Sequence, residues 1–391
     1  MNRKKTVSNL YIGLMSGTSC DGLDVACVRF GEGDRPEMEV IRTGSYAYPP
    51  AIRAELLDFI REGAARFERV TVMHAALARL WAGYINDFLE KASLAARDIR
   101  AIGSHGQTIW HQPQEVNVLG MPTASTWQIG DISFLALHTG ISVVGDFRPA
   151  DMAVGGQGAP LIPYFDHFFF SRLQKNVVSV NVGGISNLTF IAADREASFD
   201  AGFDCGAGNM LIDAASRHYF NVPYDKDSRL ARKGRVSEAL LASLDKADHF
   251  RRRPVPRSTG REDYNDAFAA EIFRQVGGLS GEDVLATLTH YSALTIVDAL
   301  ERFILPRSPI DAVYIGGGGA ANPLLMETLR RMMTPVPVES TTQLGLPADF
   351  KEATAFALYA RQTLAGIPIN IPSATGAREA VLCGKIYEVL S

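Results

Sequence analysis

Several things are scarce in this chain of 391 residues. It has four cysteines, Cys20, Cys27, Cys205 and Cys383, and no two stand at metal-ligand spacing. A chain of this length builds its own core, so a disulfide framework is not expected, and reduced thiols in a cytosol fit best. Long apolar runs are missing: no stretch approaches the ~18 residues of a membrane-crossing helix. The basic start MNRKKTVSNLYIGLM resembles a secretion signal, but its apolar run Leu10–Met15 is too short and contains Gly13. A cytoplasmic protein is expected. Positive charge is also lacking, with a formal net charge of -4, so no basic field exists to attract nucleic acid. The one basic run, Arg251-Arg252-Arg253, reads as a solvated loop.

What is present is a mixture of 47% hydrophobic and 21% charged residues, with 35 glycines. That is the composition of a soluble globular protein with large cores, and the length fits two domains of ~100–200 residues. Tyr11–Met15 and Leu23–Phe30 read as strands joined by the small polar loop SGTSCDG, with Val40–Tyr48 as a third strand. Helices are expected at Ala51–Arg61 and Thr71–Ser93, the second with Leu77, Leu80, Tyr84, Ile85 and Phe88 on one face. DIRAIGSHGQTIWHQP reads as a strand running into a polar loop, and TWQIGDISFLALHTGISVVGDFR as strand, helix, strand. Near the middle the opening pattern returns: NVVSVNVGGISNLTFIA is again strand, small polar loop, strand. Helices follow at Asn209–His218, Ser237–Ala247, Asn265–Gln275 and Gly281–Phe303. IDAVYIGGGGAANPLLMETLRRMM reads as strand, glycine turn, helix, and Thr354–Leu364 as a last helix. The repeat predicts two related halves.

The first loop offers the hydroxyls of Ser16, Thr18 and Ser19, with backbone freedom at Gly17 and Gly22. Successive amides in such a turn form an anion nest, and Asp21 is placed to hold a hydrated magnesium. The same residues also make ordinary turns, and no lysine follows to make a Walker loop. NVGGISN, with Gly183, Gly184, Ser186 and Asn187, would grip the other end of a polyphosphate. Gly316, Gly317, Gly318 and Gly319 stand where a flat ring lies against backbone at a helix start. Asp204, in GFDCGAGNMLID, reads either as a desolvated base or as a cap of the following helix. Asp213 reads as a polar-face residue of that helix. His105 and His111 lack zinc spacing, so HGQTIWHQP, with Gln107 and Thr108, reads as pocket lining. GDFRPADMAVGGQGAPLIP, with Arg148, Asp151 and Gln157, reads as a lining loop or hinge, and Arg148–Asp151 equally as an ion pair.

The order of GLMSGTSCDGLDV, GSHGQTIWHQP, VVGDFRPADMAVGGQGAPLIP, NVGGISN, GFDCGAGNMLID, YDKDS, RSTGREDYN and IGGGGAANPLL resembles the 1,6-anhydro-N-acetylmuramic acid kinases. The match runs from about Tyr11 to Tyr387. The resemblance implies an α/β, actin-like, two-lobed sugar-kinase fold, each lobe a mixed sheet with helices. One lobe would span about 1–146 plus 352–391 and the other about 147–351, with a hinge near Asp146–Gly158. It implies ATP and magnesium as cofactors. Gly17 through Asp24 would form the first phosphate segment, the Gly183–Asn187 region the second, and Gly316–Gly319 the adenosine contact. Asp204 fills the position of the catalytic base, and Glu352 matches a glutamate near the sugar. The implied reaction opens the anhydro ring with water and phosphorylates O6. Fungal levoglucosan kinases share the motifs, so a levoglucosan-type kinase stays open. So does a non-enzymatic nucleotide-gated protein of the same fold, and so does a homodimer.

Overall fold

The computed structural model describes residues 8–33, 36–62, 66–194, 201–255, 257–260, 263–275 and 277–389; the basic start at residues 1–7 lies outside them. The chain forms two compact units, one of Met1–Phe168 with Phe350–Ser391 and one of Phe169–Asp349. The chain leaves the first unit after Phe168, later than the expected 146, because the segment around Asp151 packs with that unit. There Asp151 accepts hydrogen bonds from Asn370 and Thr375, both near the C-terminus.

Strands of the first unit are β1 (Leu10–Ser16), β2 (Gly22–Phe30), β3 (Met38–Ala47), β4 (Ile99–Val118), β5 (Met121–Ile129) and β6 (Val143–Gly145). Those of the second are β7 (Val177–Val182), β8 (Ile185–Ile191), β9 (Ala201–Ala207), β10 (Ala312–Gly316) and β11 (Val338–Ser340). The helices are α1 (Pro50–Glu62), α2 (Phe67–Ala92), α3 (Ile132–Thr139), α4 (Pro149–Ala153), α5 (Ile162–Phe170) and α6 (Met210–Phe220). They continue with α7 (Glu238–Ala247), α8 (Asp266–Arg274), α9 (Gly281–Phe303), α10 (Pro323–Met333) and α11 (Lys351–Leu364).

Both units share one topology. The first sheet runs β3-β2-β1-β4-β6, extended by a short C-terminal strand at Lys385–Tyr387, and the second runs β9-β8-β7-β10-β11. In each, an antiparallel hairpin and third strand come first, and two parallel strands follow on the other side. The halves read from the repeated hairpin are therefore two copies of one architecture, the duplicated unit of an actin-like fold.

The valines of β7 alternate into the core, with Val178, Val180 and Val182 packed against Ile296 and Leu300 of α9. That helix is buried on nearly every side, with Thr287, Thr289, Ser292 and Thr295 among its buried residues. In the first unit α2 puts Leu77, Trp81, Ile85 and Phe88 against one face of the sheet. On the other face α11 lies so close that a Cβ on Gly13 would sit 1.8 Å from the Ala353 carbonyl oxygen. One on Gly103 would sit 1.9 Å from that of Phe356.

Three expectations change. HGQTIWHQP is strand, not loop: β4 runs 20 residues and pairs with β5 in a long hairpin. Its Thr, Ile and Trp residues suit a half-exposed pleated surface, and the pairing overrides the polar spacing. The helix expected at Thr354–Leu364 begins at Lys351, so Glu352 sits in its first turn. The arginine run is ion-paired, not simply solvated: Arg251 meets Asp245 and Asp298, Arg252 meets Asp245, and Arg253 meets Asp263.

Candidate functional site

In the first unit, the β1–β2 loop exposes Thr18, Ser19 and Asp21, while Gly17 is half-buried. Ser16 is 1% exposed and Gln107 fully buried, and both belong to a relay of hydrogen bonds that holds the loop. Trp81 Nε1 donates to the Tyr48 hydroxyl (2.9 Å), which lies 2.7 Å from Ser16 Oγ. Ser16 Oγ donates to Gln107 Oε1 (2.5 Å), and Gln107 Nε2 donates to the Gly17 carbonyl (3.2 Å). Their side chains are used internally. What the loop turns outward is backbone, the two exposed hydroxyls and the Asp21 carboxylate. Gly22 is demanded by β3, since a Cβ there would lie 2.4 Å from the Tyr46 carbonyl oxygen.

Asp24 in β2, Arg148, His105 in β4 and Glu352 form a second cluster on the α11 side of the sheet. Arg148 donates through Nη2 (2.8 Å) and Nε (3.3 Å) to His105 Nε2, and through Nη1 to the Gly158 carbonyl (2.7 Å). A guanidinium has only donors, so His105 Nε2 must accept and the ring is neutral, with its proton on Nδ1. Burial, then the Arg148 charge, pushes His105 down to about 3. Burial raises Glu352 above the usual carboxylate range; Lys351 and Arg148 oppose this and Asp24 adds to it. Lys351 in turn pairs with Asp166 at 2.6 Å, both side chains almost fully buried. Gln157 is exposed, and its backbone N–H donates to the Thr375 carbonyl. Thr108 Oγ1 accepts from Gln128. Arg148 and Asp151 do not pair. Asp151 instead accepts from the Gly158 N–H at 2.8 Å and shapes the glycine turn around itself.

In the second unit, four strands place three predicted positions, Gly316, Asn187 and Asp204, in one row with Asn181. Gly316 of β10 pairs with Asn181 of β7, Asn181 with Asn187 of β8, and Asn187 with Asp204 of β9. Directly opposed residues project to the same face, so the glycine turn, the second hairpin and the aspartate share one side of the sheet. The Gly183-Gly184 turn is locked beneath the start of α6. Gly183 O accepts from Asn209 N–H (2.8 Å), and Gly184 O from Gly208 (2.8 Å) and Met210 (3.1 Å). The outer side of the turn has room: added Cβ atoms would find nothing closer than 3.6 Å at Gly183 and 3.4 Å at Gly184. Ser186 is fully buried and donates to the Gly206 carbonyl. Gly317 and Gly319 are required by β7, whose Asn181 and Val182 would clash with side chains there. Gly318 is open, its nearest neighbour being Asn209 Nδ2 at 3.8 Å.

Asp204 lies inside β9, and α6 starts only at Met210. The capping alternative is thereby removed. Its Oδ2 accepts from the Thr259 backbone N–H at 2.8 Å. Asp213, in α6, is raised to about 6 by burial. Among the described residues no group of three or more His, Cys, Asp or Glu is arranged to hold a metal. The four cysteines are buried and free, and no helix among the described residues is long and apolar enough to cross a membrane.

A profile of the family described as anhydro-N-acetylmuramic acid kinase matches residues 9–389. The chain belongs to the anhydro-N-acetylmuramic acid kinase family. It is 40% identical over 384 residues to the anhydro-N-acetylmuramic acid kinase of Xanthomonas campestris pv. campestris, covering 98% of both chains. It is 36% identical over 382 residues to that of Caldanaerobacter subterraneus subsp. tengcongensis, covering 96% of both. With that of Salinibacter ruber it shares 37% identity over 378 residues, covering 96% of this chain and 95% of the other.

Some parts of this kinase-family site were not assigned from sequence. Arg257 and Thr259 lie in RSTGREDYN, a motif whose residues carry no task legible from sequence. Asp166 stood in the apolar run IPYFDHFFF, where a lone charge is itself a signal of a buried partner. Tyr48 and Trp81 carried no sequence signal of a shared hydrogen bond.

Proposed function

We propose that the chain uses ATP to open the anhydro bridge of 1,6-anhydro-N-acetylmuramic acid hydrolytically and phosphorylate O6, yielding N-acetylmuramic acid 6-phosphate and ADP. Family membership supports the reaction class. The observation that carries the reading is Asp204 as a strand carboxylate in one row with Asn187 of the second hairpin and Gly316 at the start of the glycine turn.

Asp204 takes a proton from the water that attacks C1. The bond from C1 to the bridge oxygen breaks, and that oxygen, still on C6, accepts the γ-phosphoryl group. This is half the logic of an inverting glycosidase, with the phosphoryl group in place of the general acid. Each hairpin offers its own groups to phosphate oxygens: the β7–β8 turn its backbone amides, and the β1–β2 loop its backbone amides and the Thr18 and Ser19 hydroxyls. Gly318, open above Asn209, would lie against adenosine. His105, Gln107, Thr108, Arg148, Gln157 and Glu352 are assigned to the sugar side. Within that set Arg148 and Glu352 touch by charge, while Gln107 acts through the Gly17 carbonyl.

Magnesium fits the residues present. The Asp21 carboxylate is exposed, with Ser19 Oγ 2.7 Å from its Oδ1. Magnesium usually takes one or two carboxylates plus phosphate oxygens, so no dedicated cage is needed. When bound it neutralises phosphate charge during transfer. A cytoplasmic location and a role in cell-wall recycling follow from the substrate.

ADP release measured with 1,6-anhydro-N-acetylmuramic acid, levoglucosan and no sugar tests the reading. Turnover with the first alone is expected. Turnover with levoglucosan alone would reassign the sugar, and none with either would leave a nucleotide-binding protein.

A further inference from the structure

Among the described residues, β9 is the edge strand of the second sheet, paired with β8. The ladder between them is irregular beside Asp204: Ser186 pairs with Gly206 but Asn187 pairs with Asp204, leaving Cys205 as an extra residue. Such a bulge re-aims side chains and disrupts pairing locally. A carboxylate placed there has no rigid ladder to fix its direction, so something else must.

The segment 257–259 runs along the outer edge of β9 and holds Asp204 at three points. The Asp204 N–H donates to the Arg257 carbonyl (3.3 Å). Arg257 Nε donates to the Asp204 carbonyl (2.9 Å). The Thr259 N–H donates to the Asp204 carboxylate at Oδ2 (2.8 Å). Arg257 Nη2 also reaches the Cys205 carbonyl, the bulged residue itself (3.4 Å).

Arg257 is immobilised in turn. Its guanidinium lies against three rings, 4.9 Å from the centroid of Phe303, 5.0 Å from Phe250 and 5.5 Å from Phe203. Nη1 donates to the Arg251 and Arg253 carbonyls. The residue is 7% exposed. A planar cation offsets its lost hydration in such a cage by stacking and by donating in fixed directions; an ammonium does neither as well. Thr259 is anchored through Oγ1 to Asp263 (2.7 Å), which also takes both terminal nitrogens of Arg253.

We propose that Arg257 and Thr259 are positioning residues for Asp204: the caged arginine braces the bulged edge strand, and the Thr259 N–H holds one carboxylate oxygen, so that the carboxylate is aimed at the attacking water. The proposal rests on the reading of Asp204 as the base.

The test uses the full chain and ADP release with the anhydrosugar. Arg257→Lys keeps the charge but loses Nε–H and the plane. Thr259→Pro removes the N–H, whereas Thr259→Val keeps it and removes only the hydroxyl. Misplacing a reacting group by about 1 Å costs up to ~10²-fold, so kcat should fall about 10–100-fold in Arg257→Lys and Thr259→Pro and less in Thr259→Val. ATP affinity by calorimetry should stay within about twofold, and it also reports whether each variant is folded. In an Asp204→Asn background, Arg257→Lys should cost little further, because the brace has nothing left to aim. Additive losses in that cycle, or wild-type kcat in Arg257→Lys, would overturn the proposal. If Arg257→Lys does not fold, Thr259→Pro against Thr259→Val decides it, and equal turnover in that pair counts against the brace. Near-normal turnover in Asp204→Asn alone would instead remove the base reading and leave the brace a structural feature of β9.

Discussion

The two hairpins occupy the same place in the same topology and are held in opposite ways. The β1–β2 loop is fixed from beneath by side chains, through a relay from Trp81 and Tyr48 to Ser16, Gln107 and the Gly17 carbonyl. The β7–β8 turn is fixed chiefly by backbone, its two glycine carbonyls accepting the N–H groups of Gly208, Asn209 and Met210, while the Asn209 side chain donates to the Val182 carbonyl. The longer loop strays far enough from its strands to need side-chain support. The two-residue turn stays within reach of the next helix. Equivalent folds therefore do not give equivalent sensitivities: the first loop depends on a buried side-chain relay, whereas the second turn rests mainly on backbone bonds to the start of α6 and leaves room on its outer side.

Four experiments would break or sharpen this contrast. The largest effect belongs to the second unit. Asp204→Asn should lower turnover by ~10²–10⁴-fold while ATP affinity and melting temperature stay near wild type. Steady-state ADP release with parallel calorimetry checks this, and unchanged turnover would move the water's base elsewhere.

Next comes the gain of a side chain at glycines of unequal room. Gly13→Ala forces a Cβ against the Ala353 carbonyl and should cost ~3 kcal/mol or more, or abolish folding. Gly184→Ala meets its nearest atom, the Met210 side chain, at 3.4 Å. It should leave the urea midpoint close to wild type, and Gly184→Val should weaken ATP binding without unfolding the protein. Equal destabilisation at both sites would contradict the open outer side of the β7–β8 turn.

The serines should differ by less, in the same sense as the contrast. Ser16→Ala leaves both Tyr48 and Gln107 short of a partner in a buried site, at ~1–3 kcal/mol. Ser186→Ala removes one bond to the Gly206 carbonyl and should cost ~1 kcal/mol. Denaturant midpoints read the order, and a reversed order would mean that the relay does not hold the first loop.

The smallest effect is in pH dependence. His105 is pushed from 6.5 to about 3, so the unfolded chain binds its proton first as pH falls. The stability due to the neutral ring is complete above about pH 6.5 and is lost progressively towards pH 3. His105→Gln should flatten the fall in melting temperature across that window. An unchanged slope would show that other groups dominate it.

Much of the fold was legible because its signals are local. Two apolar runs around SGTSCDG and two around NVGGISN predict hairpins, since small polar residues between strand formers turn the chain wherever they occur. Asp204 was not legible as a strand residue. FDCGAGN is glycine-rich, and only pairing with β8 and the bracing segment at Arg257 make it extended. The loop expected at HGQTIWHQP failed for a related reason: its strand character comes from β5, a separate stretch of chain.

The sequence by itself determined the repeated hairpins, the helices and their apolar faces, and the set of motifs that marks the family. Tertiary structure alone decided which polar groups remain for a ligand. Of four similar hydroxyls, Thr18 and Ser19 face outward, while Ser16 and Ser186 are consumed internally. It also decided that Arg148 faces His105 and not Asp151, that Lys351 finds Asp166, and that Asp204 is braced by Arg257. The physical reason is range. Turn and helix preferences are set within a few residues, whereas a buried polar group takes whichever partner the fold brings within 3 Å, often a hundred or more residues away.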